Sequence, residues 1–112
     1  MKIVISSNGK DLESNVSSVF GRCPYFIIVE VKDKKITGFE LMENTSAKQL
    51  GGAGVSTAQA VVEKGAEAII TGNLGPRASE VLKQFKIKVY AGSGIVKKAV
   101  LELIKGRLKE II

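Results

Sequence analysis

Residues 67–76 read Glu-Ala-Ile-Ile-Thr-Gly-Asn-Leu-Gly-Pro. The apolar stretch before Gly72 is typical of a buried strand, and Gly72–Gly75 is typical of a turn. Pro76 suits the first turn of a helix, where its missing N–H group costs nothing. A strand, a glycine turn and a helix within a few residues form the repeating unit of a parallel sheet. This stretch therefore predicts an α/β fold.

The same alternation continues on both sides of this stretch. Helices are predicted over residues 53–64 and 76–85, a strand over 87–90, and a last helix that Ser93 caps and that ends near Lys105. Before them, residues 2–7 read as a strand, and 25–31 with 36–42 read as a hairpin. The tail, residues 107–112, fits either a strand or an extra helical turn.

Two right-handed crossovers require the third, fourth and fifth strands to be parallel. With the first strand in the centre, the order is 3-2-1-4-5, strand 2 alone is antiparallel, and helices cover both faces. This mixed five-stranded sheet is the ribonuclease H-like arrangement. A chain of 112 residues with 45% hydrophobic and 25% charged residues fits one domain over residues 1–112.

The composition also limits compartment and partners. No apolar run is long enough to cross a bilayer, and one cysteine cannot form an internal disulfide, so we expect a cytoplasmic protein without a membrane partner. Residues 77–112 carry nine basic and three acidic side chains and account for the whole net charge of +6. This segment is either a solvated surface or a patch for an acidic partner. Nucleic acid is disfavoured because aromatic residues do not alternate with the basic ones.

The predicted topology sends several glycine-rich loops to the carboxyl edge of the sheet, and three of these loops lead into helix N-termini. Such ends carry free N–H groups and attract anions. We therefore predict a ligand or anion site at this edge. Its residues are Asn8, Arg22, Cys23, Gly51, Gly52, Gly54, Gly72, Asn73, Gly75, Gly92, Ser93 and Gly94.

The catalytic inventory is short. The chain has no histidine, which excludes a Ser-His-Asp triad and a histidine-ligated zinc site. Ser6 and Ser7 stand where a ribonuclease H-type nuclease needs an aspartate, so we expect no enzyme. Cys23 is either a small buried apolar residue or a thiolate beside Arg22 that ligates a metal.

Three motifs together resemble the dinitrogenase iron–molybdenum cofactor biosynthesis domain family. They are Phe20–Phe26 (FGRCPYF), Gly51–Gly54 leading into Ser56–Gln59, and Ile70–Pro76 (ITGNLGP). The resemblance spans essentially the whole chain. It implies a ribonuclease H-like fold and a non-catalytic role in binding or carrying an iron–molybdenum or iron–sulfur cluster, with a metallocofactor assembly or acceptor protein as partner.

The sequence departs from the family pattern just before the glycine cluster. Lys48, Gln49 and Leu50 stand where many members have histidines, so a cluster would be held by Cys23, backbone groups and the glycine edge. The alternative hypothesis is a protein-docking module that uses the basic residues 77–112 and binds no small ligand. The sequence gives no oligomeric state.

Overall fold

A computed structural model describes all residues, 1–112. Its elements are β1 (Lys2–Ser7), β2 (Tyr25–Lys32), β3 (Lys35–Glu43), α1 (Ala53–Glu63), β4 (Ala68–Thr71), α2 (Pro76–Gln84), β5 (Lys88–Ala91), α3 (Val96–Ile104) and β6 (Lys109–Glu110). None of the three helices is long and apolar enough to cross a membrane.

All strands join one sheet in the order β3-β2-β1-β4-β5-β6. β1 pairs in parallel with β4, and β4 with β5, whereas β2 is antiparallel to both β1 and β3. The predicted order 3-2-1-4-5 is confirmed. The tail adds a short sixth strand antiparallel to β5, so β2 is not the only antiparallel strand. A strand was one of the two forms expected for residues 107–112.

The sheet has a hydrophobic core on each face. Strand residues such as Val4 and Ile69 pack with α1 and α2 through Val61 and Leu82. On the other face, residues such as Ile5 pack with α3. Adjacent side chains of a strand point to opposite faces, so central strands buried on both faces are continuously apolar. Helices on both faces are therefore confirmed.

The segment between β1 and β2 folds back over the carboxyl edge. Its carbonyl groups at Leu12 and Ser14 accept hydrogen bonds from the N–H groups of Lys97 (2.9 Å) and Val96 (2.8 Å). α3 begins at Val96 with Ile95 as its N-cap, so the prediction that Ser93 caps this helix is wrong. The caps of α3 come from a segment distant in sequence.

Packing against this loop also explains why residue 72, at the carboxyl edge of the sheet, is a glycine. The N–H group of Gly72 donates to the Ser17 carbonyl at 3.1 Å, and a Cβ at Gly72 would lie 2.6 Å from the Ser18 Cα. Two backbones meet there without room for a side chain. Gly72 is thus required by packing.

We expect Gly72→Ala to destabilise the protein by about 1–3 kcal/mol, the cost of overpacking a tight contact. Urea denaturation measures the change in the free energy of unfolding. Gly38→Ala is the matched control, because nothing lies within 4 Å of a Cβ at Gly38. Equal stabilities of the two variants would contradict the packing role of Gly72.

Candidate functional site at the carboxyl edge

Two helix N-termini lie side by side at the carboxyl edge. Gly52 is the N-cap of α1 in a left-handed conformation (φ 68°), and Gly75 is the N-cap of α2. A Cβ at Gly54 would lie 3.6 Å from the Ala78 Cβ, which shows how closely the first turns approach. Neither helix has a side-chain cap or an acidic residue in its first turn. Both N-termini therefore lack a side chain that would compete with an anion, and we call this part of the carboxyl edge its open half.

The backbone donors of these turns are well defined. The first intrahelical bonds run from Ser56 N–H to the Gly52 carbonyl and from Ser79 N–H to the Gly75 carbonyl, both 3.0 Å. The N–H groups of residues 53–55 and 77–78 precede these bonds and have no intrahelical partner. Gly54, Val55 and Arg77 are at least partly exposed and are the candidate donors for a ligand, whereas Ala53 and Ala78 are buried.

The third helix N-terminus, which the sequence predicted for the same site, is closed by the Leu12 and Ser14 carbonyls. The Gly94 carbonyl accepts the Val16 N–H at 2.7 Å, and a Cβ at Gly92 would overlap the Ile70 side chain. Residues 92–94 therefore hold the β1–β2 loop and the sheet together. They lie at the predicted edge but apart from its open half.

Arg22 lies beside the open half. Its Nη1 donates to the carbonyls of Ala47 (2.9 Å) and Gln49 (2.5 Å), which fixes the chain leading into Gly51 and Gly52. Its neighbour Gly21 packs on α1, because a Cβ there would be 3.0 Å from the Gly54 Cα. The exposed guanidinium is thereby held near the N-terminus of α1.

A polar depression of about 450 Å³ adjoins this arginine. It is lined by Arg22, Pro24, Tyr25, Glu43, Asn44, Thr45, Ala47 and Lys48. Asn8 and Asn73, also predicted for the site, are exposed at the same edge of the sheet. Arg22 and Lys48 give the depression two cationic side chains and Glu43 gives it one carboxylate.

Sequence reasoning missed a buried polar network beneath this site. The Asn44 amide donates to the carbonyls of Gly21 (3.1 Å) and Cys23 (2.8 Å), and its oxygen accepts the Thr57 hydroxyl at 3.2 Å. This network joins the 20–24 loop, the end of β3 and α1. The sequence did contain a sign of this network. Thr57 lies on the buried face of α1 with Ala53 and Val61, and a buried hydroxyl needs a hydrogen-bond partner.

The comparisons with known proteins decide the family. The family model described as dinitrogenase iron-molybdenum cofactor matches residues 1–106. This chain belongs to that dinitrogenase iron-molybdenum cofactor family. The resemblance in its sequence motifs is thereby confirmed.

Individual relatives match this chain over nearly their whole length. The chain is similar to an uncharacterized protein of Methanocaldococcus jannaschii, with 32% identity over 98% of this chain and 95% of the relative. The apo form of the orange protein from Desulfovibrio gigas matches with a TM-score of 0.89 and 30% identity, over 96% and 90% of the two chains. A Thermotoga protein solved by NMR matches with a TM-score of 0.83 and 40% identity, over 98% and 92%.

In this member of the dinitrogenase iron-molybdenum cofactor family, the single cysteine lies inside the core. Cys23 is 0% exposed, and its Sγ lies 3.3 Å from the carbonyl oxygens of Phe20 and Tyr25. Burial raises the pKa of the thiol from 9.0 to about 12, against the smaller lowering effects of hydrogen bonds with Ser7 and Asn44. Ligation of a metal by this sulfur would require the 20–25 segment to open.

Side-chain ligands for a metal ion are scarce elsewhere as well. The structure contains no group of three or more histidine, cysteine, aspartate or glutamate side chains placed to hold one ion. At the centre of the carboxyl edge, the buried hydroxyls of Ser6 and Thr71 lie 2.8 Å apart on neighbouring parallel strands. The uncapped N–H groups of α1 and α2 are hydrogen-bond donors, which suit an anion better than a bare cation.

We expect the buried thiol to make the protein less stable at alkaline pH. Its folded pKa is above the unfolded value, so its contribution is complete below about pH 9 and is lost as the pH rises toward about 12. Relative to Cys23→Ala, the wild-type free energy of unfolding should fall by about 2 kcal/mol between about pH 8 and about pH 10.5. Denaturant titrations of both proteins measure this difference, in which shared lysine and tyrosine titrations cancel. A difference independent of pH would contradict the assignment.

Proposed function

We propose that this protein binds and carries an anionic metal cluster, of iron–molybdenum or iron–sulfur type, or a related anion. It acts without catalysis in the cytoplasm, as an accessory to metallocofactor biosynthesis, and passes its cargo to an assembly or acceptor protein. One observation carries the proposal: the N-termini of α1 and α2 are adjacent, uncapped and free of acidic residues.

The electrostatics of this position favour an anion. Each helix N-terminus presents unpaired N–H groups and a partial positive charge. The cationic side chains of Arg22, Lys48 and Arg77 are exposed on the adjoining segments. The exposed, side-chain-free Gly51 and Gly52 leave space for a ligand to approach the backbone.

The hydrogen-bond donors at this site suit a cluster or oxyanion whose metal atoms already have inorganic ligands. A bare transition-metal ion needs several protein ligands, and the described side chains do not provide them. An intact anionic cluster or an oxyanion instead accepts hydrogen bonds from backbone N–H groups. Membership of a family named for the iron-molybdenum cofactor supports this assignment, as does the likeness to the orange protein of Desulfovibrio gigas in its apo form.

No catalytic step is included in the proposal. At the edge centre, the Ser6 and Thr71 hydroxyls contact each other and the Ser17 and Asn73 carbonyls, rather than a general base. Nucleophilic catalysis needs a hydroxyl paired with a base within hydrogen-bonding reach. Binding of cargo uses the edge without such a pair.

The test places a carboxylate at the open N-termini. Gly51→Asp and Gly75→Asp are suitable because a Cβ at either position meets nothing within 4 Å, and Gly38→Asp is the control with equal charge and equal space on β3. We expect the first two variants to lose at least about tenfold in affinity, which is about 1.4 kcal/mol. Because aspartate is a favourable N-cap, Gly75→Asp should also stabilise α2 by a few tenths of a kcal/mol or more.

Backbone amide NMR shifts measured during titration with phosphate, molybdate and a synthetic anionic iron–sulfur cluster provide the readout. The proposal expects the largest amide shifts at residues 51–55, 75, 77 and 78 with at least one titrant, and normal binding by Gly38→Asp. If no titrant moves these amides more than the rest of the backbone, or if all three variants bind equally, the anion-carrier function is wrong. The docking module without a small ligand then remains.

A further inference from the structure

The far end of α2 forms a second surface of unusual composition. A depression of about 260 Å³ is lined by Lys83, Lys86, Ile87, Lys88 and Ile112. α2 begins at the carboxyl edge and ends here, where β5 begins, so the depression lies at the opposite edge of the sheet from the open N-termini. Its floor is apolar and its rim is basic.

Lys86 has a backbone conformation that is unfavourable for lysine. It follows the last turn of α2 in the left-handed region (φ 58°), and the Ile87 N–H closes the turn onto the Leu82 carbonyl at 3.1 Å. Glycine is the usual residue in this motif. α1 and α3 indeed end on left-handed glycines, Gly65 and Gly106. Only α2 places a strained side chain at this point.

The exposure of Phe85, which precedes Lys86, is also unfavourable for folding. Phe85, the C-cap of α2, is 56% exposed, although a phenyl ring gains most of its stabilisation from burial. A strained lysine that lines the depression and an exposed aromatic residue are therefore consecutive in the chain. Such local departures from stability are common at functional sites.

The rim charges are available to a partner. Lys88 is paired with Glu110 at 2.8 Å, whereas Lys83 and Lys86 make no ion pair within 4.0 Å. Both side chains are exposed. Two free ammonium groups beside an apolar floor complement a segment that presents carboxylates around an apolar side chain.

We propose that this depression docks an acidic segment of a partner protein that inserts one apolar side chain between glutamates or aspartates. A nucleic acid fits it less well, because the surface offers a small pocket rather than a groove that follows a phosphate backbone. The site lies at the other end of α2 from the proposed cargo site, and the inference does not depend on that function.

The first test uses a synthetic peptide with two glutamates on each side of a leucine, followed by amide NMR shifts at about 50 mM salt. We expect shifts at residues 83–88 and 112. Lys83→Glu with Lys86→Glu should weaken binding at least about tenfold. Lys97→Glu with Lys98→Glu changes the net charge equally on α3 and should bind nearly as the wild type does.

Several results would overturn the docking proposal. One is an equal loss of peptide affinity in the two double variants. Another is an equally tight complex with a peptide that carries glutamines in place of the glutamates. The third is a set of amide shifts centred on the carboxyl edge of the sheet. A single-stranded oligothymidine that binds this depression more tightly than the peptide would replace the protein partner with nucleic acid.

A second variant separates docking from a structural role. Lys86→Gly relieves the left-handed strain and should raise the melting temperature by about 4 °C while weakening peptide binding. A residue kept for stability would give a lower melting temperature instead. A lower melting temperature, or unchanged peptide affinity, would contradict the assignment of Lys86 to the docking surface.

Discussion

The rest of the structure depends on the position of β1 between an antiparallel and a parallel neighbour. Ile3, Val4 and Ile5 are fully buried, because β1 supplies side chains to the cores on both faces. Its parallel pairing with β4 fixes the polarity of the sheet, while β2 reverses and returns β3 parallel to β1. This polarity sends the chain from β3 and β4 into α1 and α2 at the same edge.

The β1–β2 loop then divides that edge into two parts of different character. Its carbonyl groups accept hydrogen bonds from the first N–H groups of α3, and its backbone at Ser17 and Ser18 packs against Gly72. The N-termini of α1 and α2 stay open, with Arg22 held beside them. The uncapped helix N-termini at which we propose anion binding therefore lie in one half of the edge, over the face that α1 and α2 cover.

α2 connects the proposed anion site, at its N-terminus, to the proposed docking surface, at its C-terminus. Its N-terminus is open and uncapped, as a backbone-mediated anion site requires. Its C-terminus carries an unfavourable lysine conformation and an exposed phenylalanine. Such separation suits the proposed carrier function, because a partner bound at one end of α2 would leave the other end free for the ligand.

The sequence by itself determined the fold class, the strand order around β1 and the family, since these follow from local apolar periodicity, turn residues and motifs that each span a few residues. It also identified Gly51, Gly52 and Gly75 at the edge that the structure leaves open. Only the tertiary structure decided that Gly72 and residues 92–94 serve packing, that Cys23 is a buried thiol, and that Asn44 and Thr57 form a network. The reason is physical: whether an N–H group is free depends on contacts with carbonyls distant in sequence, and no local pattern encodes which loop returns to cover it.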